Sequence, residues 1–339
     1  MAPDIHSSEP ILRLHGVAKH YPLTRGVVFK RPSGAVRAVD GVDLELRRGE
    51  TLGLVGESGC GKSTLASVIM GLEAPTSGSV TIDGRDLSLM GRGELRSMRR
   101  RVQMVLQDPY TSLNPRLTVG EIIAEPLVIH PGTTSRERRE RVAELLQTVG
   151  LDPGHAQRYP HQFSGGQRQR VGIARALALG PDLLVCDEPV SALDVSVQAQ
   201  VLNLLADLRT RLGLACLFIA HDLAVVHYLC DRIAVMYLGR IVETGTRAQL
   251  HAGAHHPYTR ALLSAVPLPD PTAKQHGEEI ILEGDLPSPA APPSGCRFRT
   301  RCPYARPQCA AEEPELTIRP GTGHPTACHF PLPAPGPAH

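Results

Sequence analysis

Residues 51–65, TLGLVGESGCGKSTL, decide the fold that we predict for this chain. The apolar run TLGLV reads as a buried strand, and STLASVIMGL (63–72) reads as a helix. The turn between them, from Gly56 to Ser63, fits the pattern G-x-x-x-x-G-K-[ST]. A glycine-rich turn could fit by chance, but this one lies between a strand and a helix, as a phosphate loop must.

In such a turn the glycines let backbone N–H groups curl around phosphates. Lys62 would reach the β- and γ-phosphates of a nucleotide, and the hydroxyl of Ser63 would ligate Mg²⁺. Cys60 occupies a variable position and is interpreted as a small filler. The predicted ATP-binding residues of this segment are Gly56, Glu57, Ser58, Gly59, Cys60, Gly61, Lys62, Ser63 and Thr64.

Two further strand ends carry polar side chains that suit ATP hydrolysis. LLVCDEP ends in Asp187, which can join the Mg²⁺ shell, and Glu188, which can polarise the attacking water as a general base. His221 follows the run FIA and would lie at the same sheet edge. Gln107, in VLQDP, offers an amide oxygen. Alone, each could be an ordinary solvated residue; together they predict Glu188, His221 and Gln107 as catalytic, and Ser63, Gln107 and Asp187 as Mg²⁺ ligands.

A second glycine-headed helix begins in FSGGQRQRVGIARAL (163–177). Its first residues, Ser164, Gly165, Gly166 and Gln167, would expose backbone N–H groups at the positive end of a helix dipole, which suits an anion. One nucleotide does not need two such helix starts. The residues alone therefore leave open whose phosphate the second helix holds.

Composition narrows the class of protein. Of 339 residues, 42% are hydrophobic and the formal net charge is +2, which argues against a dedicated nucleic-acid binder but not against a local basic face. The basic run RSMRRR (96–101) could be a face that binds nucleic acid, but we expect it to be the solvated surface of a helix. The start MAPDIHSSEP has no apolar signal segment, and apolar runs such as LACLFIA (214–220) fall far short of the ~18 residues of a membrane span. Eight cysteines in such a chain indicate a reducing compartment.

The order of patterns predicts an α/β fold with a mostly parallel sheet. Residues 11–20 and 36–55 alternate like strands of an antiparallel β layer. From about 117 to 180 the pattern is helical, as in SRERRERVAELLQTVGL, which ends at Gly150. Past residue 265, seven prolines between 266 and 295 indicate a linker. A cysteine-bearing segment follows it, and we expect the terminal sequence PLPAPGPAH to be disordered.

In this order the motifs GESGCGKST, Gln107, FSGGQ, LLVCDEP, SALD (191–194) and His221 resemble the ATP-binding-cassette (ABC) ATPases, over roughly residues 11–265. The resemblance implies a P-loop NTPase core with an antiparallel β layer and a helical subdomain at about 108–163. It also implies that two cassettes pack head to tail, so that Ser164, Gly165, Gly166 and Gln167 act on the partner's ATP. Asp194 would sense the opposite site, and Tyr21 would stack on adenine.

A closer resemblance is to the ATPase subunits of bacterial dipeptide and oligopeptide importers. DPYTSLNPR (108–116), HPYTRALLSAVP (256–267), GDLPSP (284–289) and the cysteine segment are similar to that subfamily. It implies an energy-coupling ATPase peripheral on the cytoplasmic face of the inner membrane. Its partners would be a second cassette, identical or a sister chain, two transmembrane permeases and a periplasmic or extracellular solute-binding protein, with no nucleic acid. Import of nickel or another solute, export, and a soluble ABC ATPase acting on nucleic acid or ribosomes are the alternatives.

Four cysteines of the extension (266–339) are separated by five, six and eighteen residues: Cys296, Cys302, Cys309 and Cys328. This spacing is a weak zinc signal, because zinc sites prefer two to four residues between their first ligands. Four thiolates are the usual set for an iron–sulfur cluster, although the spacing is not a common ferredoxin pattern. Some similar peptide-importer ATPases carry a 4Fe–4S cluster here, which is our expectation; zinc or unliganded thiols are the alternatives.

Overall fold

The computed structural model describes residues 9–25, 31–108, 112–130, 132–265 and 280–334. Several predicted features lie partly outside these ranges. They are the polar start of the chain, the segment TRGVVFKRPSGAV (24–36) that separates Tyr21 from the next predicted strand, the segment DPYTSLNPR, the end of HPYTRALLSAVP, the first half of the proline-rich linker and the last five residues of the chain.

The strands of the described residues are short, apart from the first two. In chain order they are β1 (Pro10–Arg25), β2 (Arg31–Arg47), β3 (Thr51–Val55), β4 (Ser77–Ile82), β5 (Arg85–Asp86), β6 (Val102–Val105), β7 (Leu183–Asp187), β8 (Ala215–Ala220), β9 (Arg232–Tyr237), β10 (Arg240–Thr246), β11 (Thr317–Ile318) and β12 (Pro325–Thr326).

The α-helices lie between these strands along the chain, and α3, α4 and α5 follow one another between β6 and β7. They are α1 (Lys62–Ile69), α2 (Arg92–Arg101), α3 (Val119–Ile129), α4 (Ser135–Thr148), α5 (Gly165–Leu177), α6 (Val195–Leu212), α7 (Leu223–Leu229), α8 (Arg247–Gly253), α9 (Pro257–Ser264) and α10 (Pro307–Ala311). Within the described ranges, no helix is both long and apolar enough to cross a membrane.

The described chain forms two compact units, which are interleaved in sequence. Of the described residues, the first unit comprises those within 9–11, 46–50 and 83–219, and the second comprises those within 12–45, 51–82 and 220–334.

A parallel sheet is the core of the first unit. β7 pairs in parallel with β6 on one side, Leu183 opposite Val102, and with β8 on the other, Leu183 opposite Ala215. Every residue of β7 and β8 is buried. The runs LLVC and ACLFIA are apolar, because a parallel strand covered on both faces has no solvent side, and the charged residue Asp187 stands only at the end of β7.

Helices α3, α4 and α5 of the first unit begin at side-chain caps. Thr118 and Thr134 each accept a hydrogen bond from the backbone N–H three residues on, and Glu121 and Glu137 return the bond. Such caps satisfy N–H groups that the helix leaves without a partner. Gly150 lies just beyond α4 with a φ of +72°, the left-handed conformation that ends a helix at glycine.

Two sheets lie in the second unit. One is the antiparallel layer, in which β1 lies between β2 and β4, with Leu12 opposite Ile82. The other contains β3, which pairs in parallel with β9, followed by the antiparallel strands β10 and β12. The predicted antiparallel layer is thus present, and the extension adds strands to the second sheet.

A buried carboxylate fixes the extension on β10. Glu243 is completely buried, and its side chain accepts hydrogen bonds from the backbone N–H of His255 (2.7 Å) and pairs with His324 Nε2 (2.8 Å). These contacts hold the pKa of Glu243 below its ordinary value against the opposing effect of burial. The carboxylate is therefore charged and connects β10 to residue 324 of the extension.

Three buried aromatic rings pack together in the second unit. Tyr237 of β9 and Tyr258 of α9 lie 4.8 Å apart between ring centroids, and Phe298 of the extension lies 5.3 Å and 5.5 Å from them. All three are essentially inaccessible to solvent. The extension therefore shares a core with the strands and helices that precede it in the second unit.

Replacing Phe298 with Ala should destabilise the protein by about 3–5 kcal/mol, because the ring is buried and its loss leaves a cavity. The midpoint of urea unfolding measures the change. Ile318→Ala is the matched control: Ile318 also lies in the extension but is 66% exposed. It should shift stability by less than about 0.5 kcal/mol. Equal midpoints for the two variants would show that the extension does not share this core.

Candidate functional site

The predicted phosphate loop connects β3 to α1 in the second unit. Helix α1 begins at Lys62 directly after Gly61, and no side chain caps its first turn. The first N–H groups of a helix have no partner within the helix, so they can donate to an anion. Ser58, Gly59 and Ser63 are exposed, which leaves the loop open to a ligand.

Two glycines of the loop lie against backbone carbonyl groups. A Cβ at residue 56 would lie 2.2 Å from the Met236 carbonyl oxygen, and one at residue 61 would lie 2.0 Å from that of Ala38. Gly61 also has a φ of +112°, which other residues rarely adopt. The loop can therefore take this shape only with glycine at both positions.

The ammonium group of Lys62 is held by the loop itself. Its Nζ donates to the carbonyl oxygens of Gly56 (2.7 Å) and Glu57 (3.0 Å), and the side chain is only 4% exposed. Cys60 is buried beside it, and burial raises the pKa of this thiol, so it stays neutral and fills space. The loop thus carries a fixed positive charge together with the N–H groups of α1.

Two residues that the sequence analysis missed also contact the loop. The backbone N–H of Glu57 donates to the hydroxyl of Tyr258 (2.9 Å), and Arg301 Nη1 donates to both carboxylate oxygens of Glu57 (2.8 and 3.0 Å). Burial raises the pKa of Tyr258, so its hydroxyl stays neutral. These residues are 201 and 244 positions away in sequence, and no spacing pattern could have connected them to the loop.

The predicted catalytic carboxylate lies in the first unit, directly after β7. Glu188 has a φ of +44°, and its backbone N–H donates to the Ile219 carbonyl at 2.9 Å. A left-handed conformation at a non-glycine residue costs roughly 1–2 kcal/mol. Such strain is often found at functional positions. Gln107 Nε2 donates to Glu188 Oε2 at 2.8 Å, so the structure brings these two predicted residues together.

Asp187, the last residue of β7, is 8% exposed. The amide nitrogen of Gln107 binds Glu188, so its Oε1 is the atom that could ligate a cation. Mg²⁺ usually takes one or two carboxylates and completes its shell with phosphate oxygens and water. The donor set predicted for Mg²⁺, one carboxylate with hydroxyl and amide oxygens, therefore suits that ion.

The first turn of the glycine-headed helix α5 is capped by Ser164 and Gln167 of the FSGGQ motif. Ser164 Oγ accepts from the backbone N–H of Gln167 (3.4 Å), while Gln167 Oε1 accepts from that of Ser164 (3.0 Å). A Cβ at Gly166 would lie 2.3 Å from Val197 Cγ1 of α6. Gln167 and Gly166 therefore shape the helix start, while Ser164 is exposed. No pattern in the sequence predicts these packing roles.

The remaining predicted residues lie at element ends. Asp194 is exposed and precedes α6, and His221 is exposed directly after β8. Tyr21 lies in β1, where its hydroxyl donates to Glu73 at 2.6 Å and the Lys19 ammonium lies 5.2 Å from its ring centre. The structure places all three at partly or fully exposed positions.

The four cysteines of the extension line one small cavity, of about 10 Å³: Cys296, Cys302, Cys309 and Cys328. None of them forms a disulfide. Burial raises the pKa of Cys296 to about 11 and that of Cys328 to about 12, and the neighbouring thiols act in the same direction. In the part of the chain that the structure describes, however, no group of three or more Cys, His, Asp or Glu side chains is arranged to hold a metal ion.

Comparison with protein families gives two matches. Residues 39–191 match the ABC transporter family model, and residues 242–309 match the model of the oligopeptide/dipeptide transporter C-terminal region. The first range contains the phosphate loop, the start of α5 and the Glu188 carboxylate. The second contains Glu243, Tyr258 and Arg301.

Full-length relatives agree with these matches. The chain is 52% identical to the oligopeptide transport ATP-binding protein AppF of Bacillus subtilis (strain 168), over 96% of this chain and 98% of AppF. It is 54% identical to the oligopeptide transport ATP-binding protein OppF of Salmonella typhimurium, over 92% and 94%.

Solved structures confirm the predicted fold class. The dimeric post-hydrolysis state of the ATP-binding cassette MJ0796, bound to ADP and Pi, matches with a TM-score of 0.61 at 32% identity, covering 70% of this chain and 98% of that one. The fold is thus the P-loop ABC ATPase fold, with parallel and antiparallel strands. The chain belongs to the ATP-hydrolysing, ATP-binding subunits of the ABC transporter family.

Proposed function

We propose that this chain is the energy-coupling ATPase of an importer for oligopeptides or dipeptides. The observation that carries the proposal is the match of residues 242–309 to the oligopeptide/dipeptide transporter C-terminal region. AppF and OppF, both named as oligopeptide transport proteins, align with the chain over nearly their whole length. These likenesses favour peptide import over import of nickel or another solute and over a soluble role on nucleic acid or ribosomes.

The phosphate loop would hold the nucleotide. The N–H groups at the start of α1 and the Lys62 ammonium would bind the β- and γ-phosphates, with the loop residues from Gly56 to Thr64 around them. Mg²⁺, held by Ser63, Gln107 and Asp187, supplies charge neutralisation at the phosphates when bound. Tyr21 would stack on the adenine ring.

Glu188 would accept the proton of the attacking water, acting as the general base. Its hydrogen bond with Gln107 orients the carboxylate, and its hydrogen-bonded backbone fixes the direction in which the side chain leaves β7. His221, at the end of β8, would assist at the γ-phosphate.

A second cassette, identical or a sister chain, would complete each site. Ser164, Gly165 and Gly166 would cap the phosphate bound by the partner, because Ser164 is exposed at the start of α5 and the first turn of this helix offers N–H groups without a lysine of its own. Gln167 would hold that start in shape, and Asp194 would report on the opposite site.

The other proposed partners are two transmembrane permeases and a periplasmic or extracellular solute-binding protein. In this proposal residues 1–265 form the ATPase domain, and its helical subdomain at about 108–163, which includes α3 and α4, contacts the permeases. The chain would be peripheral on the cytoplasmic face of the inner membrane. Residues 266–339 would form the linker and the cysteine-bearing extension.

We also propose that the extension holds a 4Fe–4S cluster on Cys296, Cys302, Cys309 and Cys328. The support is their shared cavity, since four thiolates are the usual ligand set. A bound cluster supplies cross-links to a segment with little core of its own. The cysteines would have to turn toward one centre, because they are not arranged as metal ligands in the structure described.

The Glu188→Gln variant should bind Mg-ATP but lose turnover by about 10²- to 10⁴-fold, because the general base is removed. Phosphate release and nucleotide binding measure the two steps. The variant should also trap a closed cassette pair, since the bound nucleotide is not consumed. Glu144→Gln, on the exposed face of α4, is the matched control and should hydrolyse ATP normally. Wild-type turnover by Glu188→Gln would contradict the assignment.

Protein purified without oxygen should be brown, with about four irons and four sulfides per chain. Replacing Cys302 and Cys309 with Ser should remove the colour and expose residues 266–339 to protease, while ATP binding is retained. Cys216→Ser, in β8, removes a thiol outside the extension and should leave the iron in place. Colourless protein with stoichiometric zinc would refute the cluster but would support cross-linking of the extension by a metal ion. Metal-free protein with a protease-resistant extension would refute both.

A further inference from the structure

Arg301 of the extension reaches the phosphate loop through a buried side chain. Only 8% of its side chain is exposed, and its Nη1 donates to both carboxylate oxygens of Glu57 at 2.8 and 3.0 Å. A charge-assisted hydrogen bond away from water is stronger than one between neutral groups. A partly buried ion pair therefore joins the loop to the extension.

Glu57 is the point at which the loop is held from several sides. Its N–H donates to Tyr258, its carbonyl accepts from Lys62, and its carboxylate accepts from Arg301. Lys62, which would bind phosphate, and Arg301 therefore both donate hydrogen bonds to Glu57. A shift of residue 57 would move both the loop backbone and the ammonium.

The turn that presents Arg301 is built from the cysteine segment. Arg301 immediately precedes Cys302, and its backbone N–H donates to the carbonyl of Phe298 at 3.0 Å. The backbone N–H of Cys296 donates to the carbonyl of Cys309 at 2.8 Å, which closes the segment. A loss of order in the cysteine segment would therefore act on the turn that carries Arg301.

We infer that Arg301 is a positioning residue for the phosphate loop, and that through it the four-cysteine segment sets the affinity of the loop for nucleotide. The inference rests on the proposed nucleotide site. When the cysteine segment is ordered, Arg301 holds Glu57 and the loop keeps the shape that binds phosphate. When the segment loosens, the ion pair is lost and nucleotide binds more weakly.

The test compares full-length variants by their Kd for Mg-ATP. Arg301→Met should bind about 5- to 20-fold more weakly, because a partly buried charged hydrogen bond is lost. Its KM for ATP should rise while kcat at saturating ATP changes little, since Arg301 acts on binding. Arg301→Lys keeps the charge and should recover part of the affinity.

Arg299→Met is the matched control. Arg299 lies two residues earlier on the same segment, but it donates to Ser294 within the extension. It should bind ATP within about twofold of wild type. If Arg301→Met binds as wild type does while folded, or if the two variants weaken equally, the positioning role is overturned.

A double-variant comparison tests the link to the cysteines. Cys302→Ser with Cys309→Ser should retain ATP binding at lower affinity, and adding Arg301→Met should weaken it no further. Fully additive losses would mean that the segment acts by another route, which overturns the coupling.

Lys62→Ala separates this inference from the proposed function. It should lose ATP binding whether or not Arg301 has a role. If Lys62→Ala binds ATP normally, the proposed nucleotide site is itself wrong. If Lys62→Ala loses ATP while Arg301→Met keeps it, only the inference about Arg301 fails.

Discussion

The second unit depends on one constraint: the backbone of residues 56–61 must curl beneath two carbonyl groups that leave no room for a side chain. Met236 of β9 and Ala38 of β2 supply these carbonyls, so two strands of the unit lie against the loop. The same curl places Lys62 on the loop's own oxygens and starts α1 with N–H groups that no side chain caps. The packing around the loop therefore determines where its phosphate-binding groups lie.

Outside the glycines, the loop is held by groups from the C-terminal part of the chain. The hydroxyl of Tyr258 accepts a hydrogen bond from the backbone N–H of Glu57, and the ring of Tyr258 packs against Phe298 of the extension. Glu243 fastens the same extension to β10 through a buried charge. The extension is therefore not a separate appendage, because its residues contact the phosphate loop and the residues that hold the loop.

Local patterns were enough to predict much of this. The strand, glycine turn and helix at 51–65, the buried runs that become β7 and β8, and the helix end at Gly150 each follow from residues close in sequence. The contacts of Tyr258 and Arg301 with Glu57 could not be predicted, because they join residues about 200 positions or more apart by way of tertiary packing. The left-handed backbone of Glu188 and the contact of Gly166 with Val197 were likewise hidden, since neither leaves a pattern in sequence.

Hydrogen exchange at the amide of Glu57 tests the central claim, that buried Tyr258 holds the phosphate loop in shape. In the wild-type protein this amide should be protected, and in Tyr258→Phe it should exchange about tenfold faster or more, because the N–H of Glu57 loses its acceptor. Tyr159→Phe, which removes an exposed hydroxyl, should leave the protection unchanged. Equal protection of Glu57 in the wild type and in folded Tyr258→Phe would contradict the account.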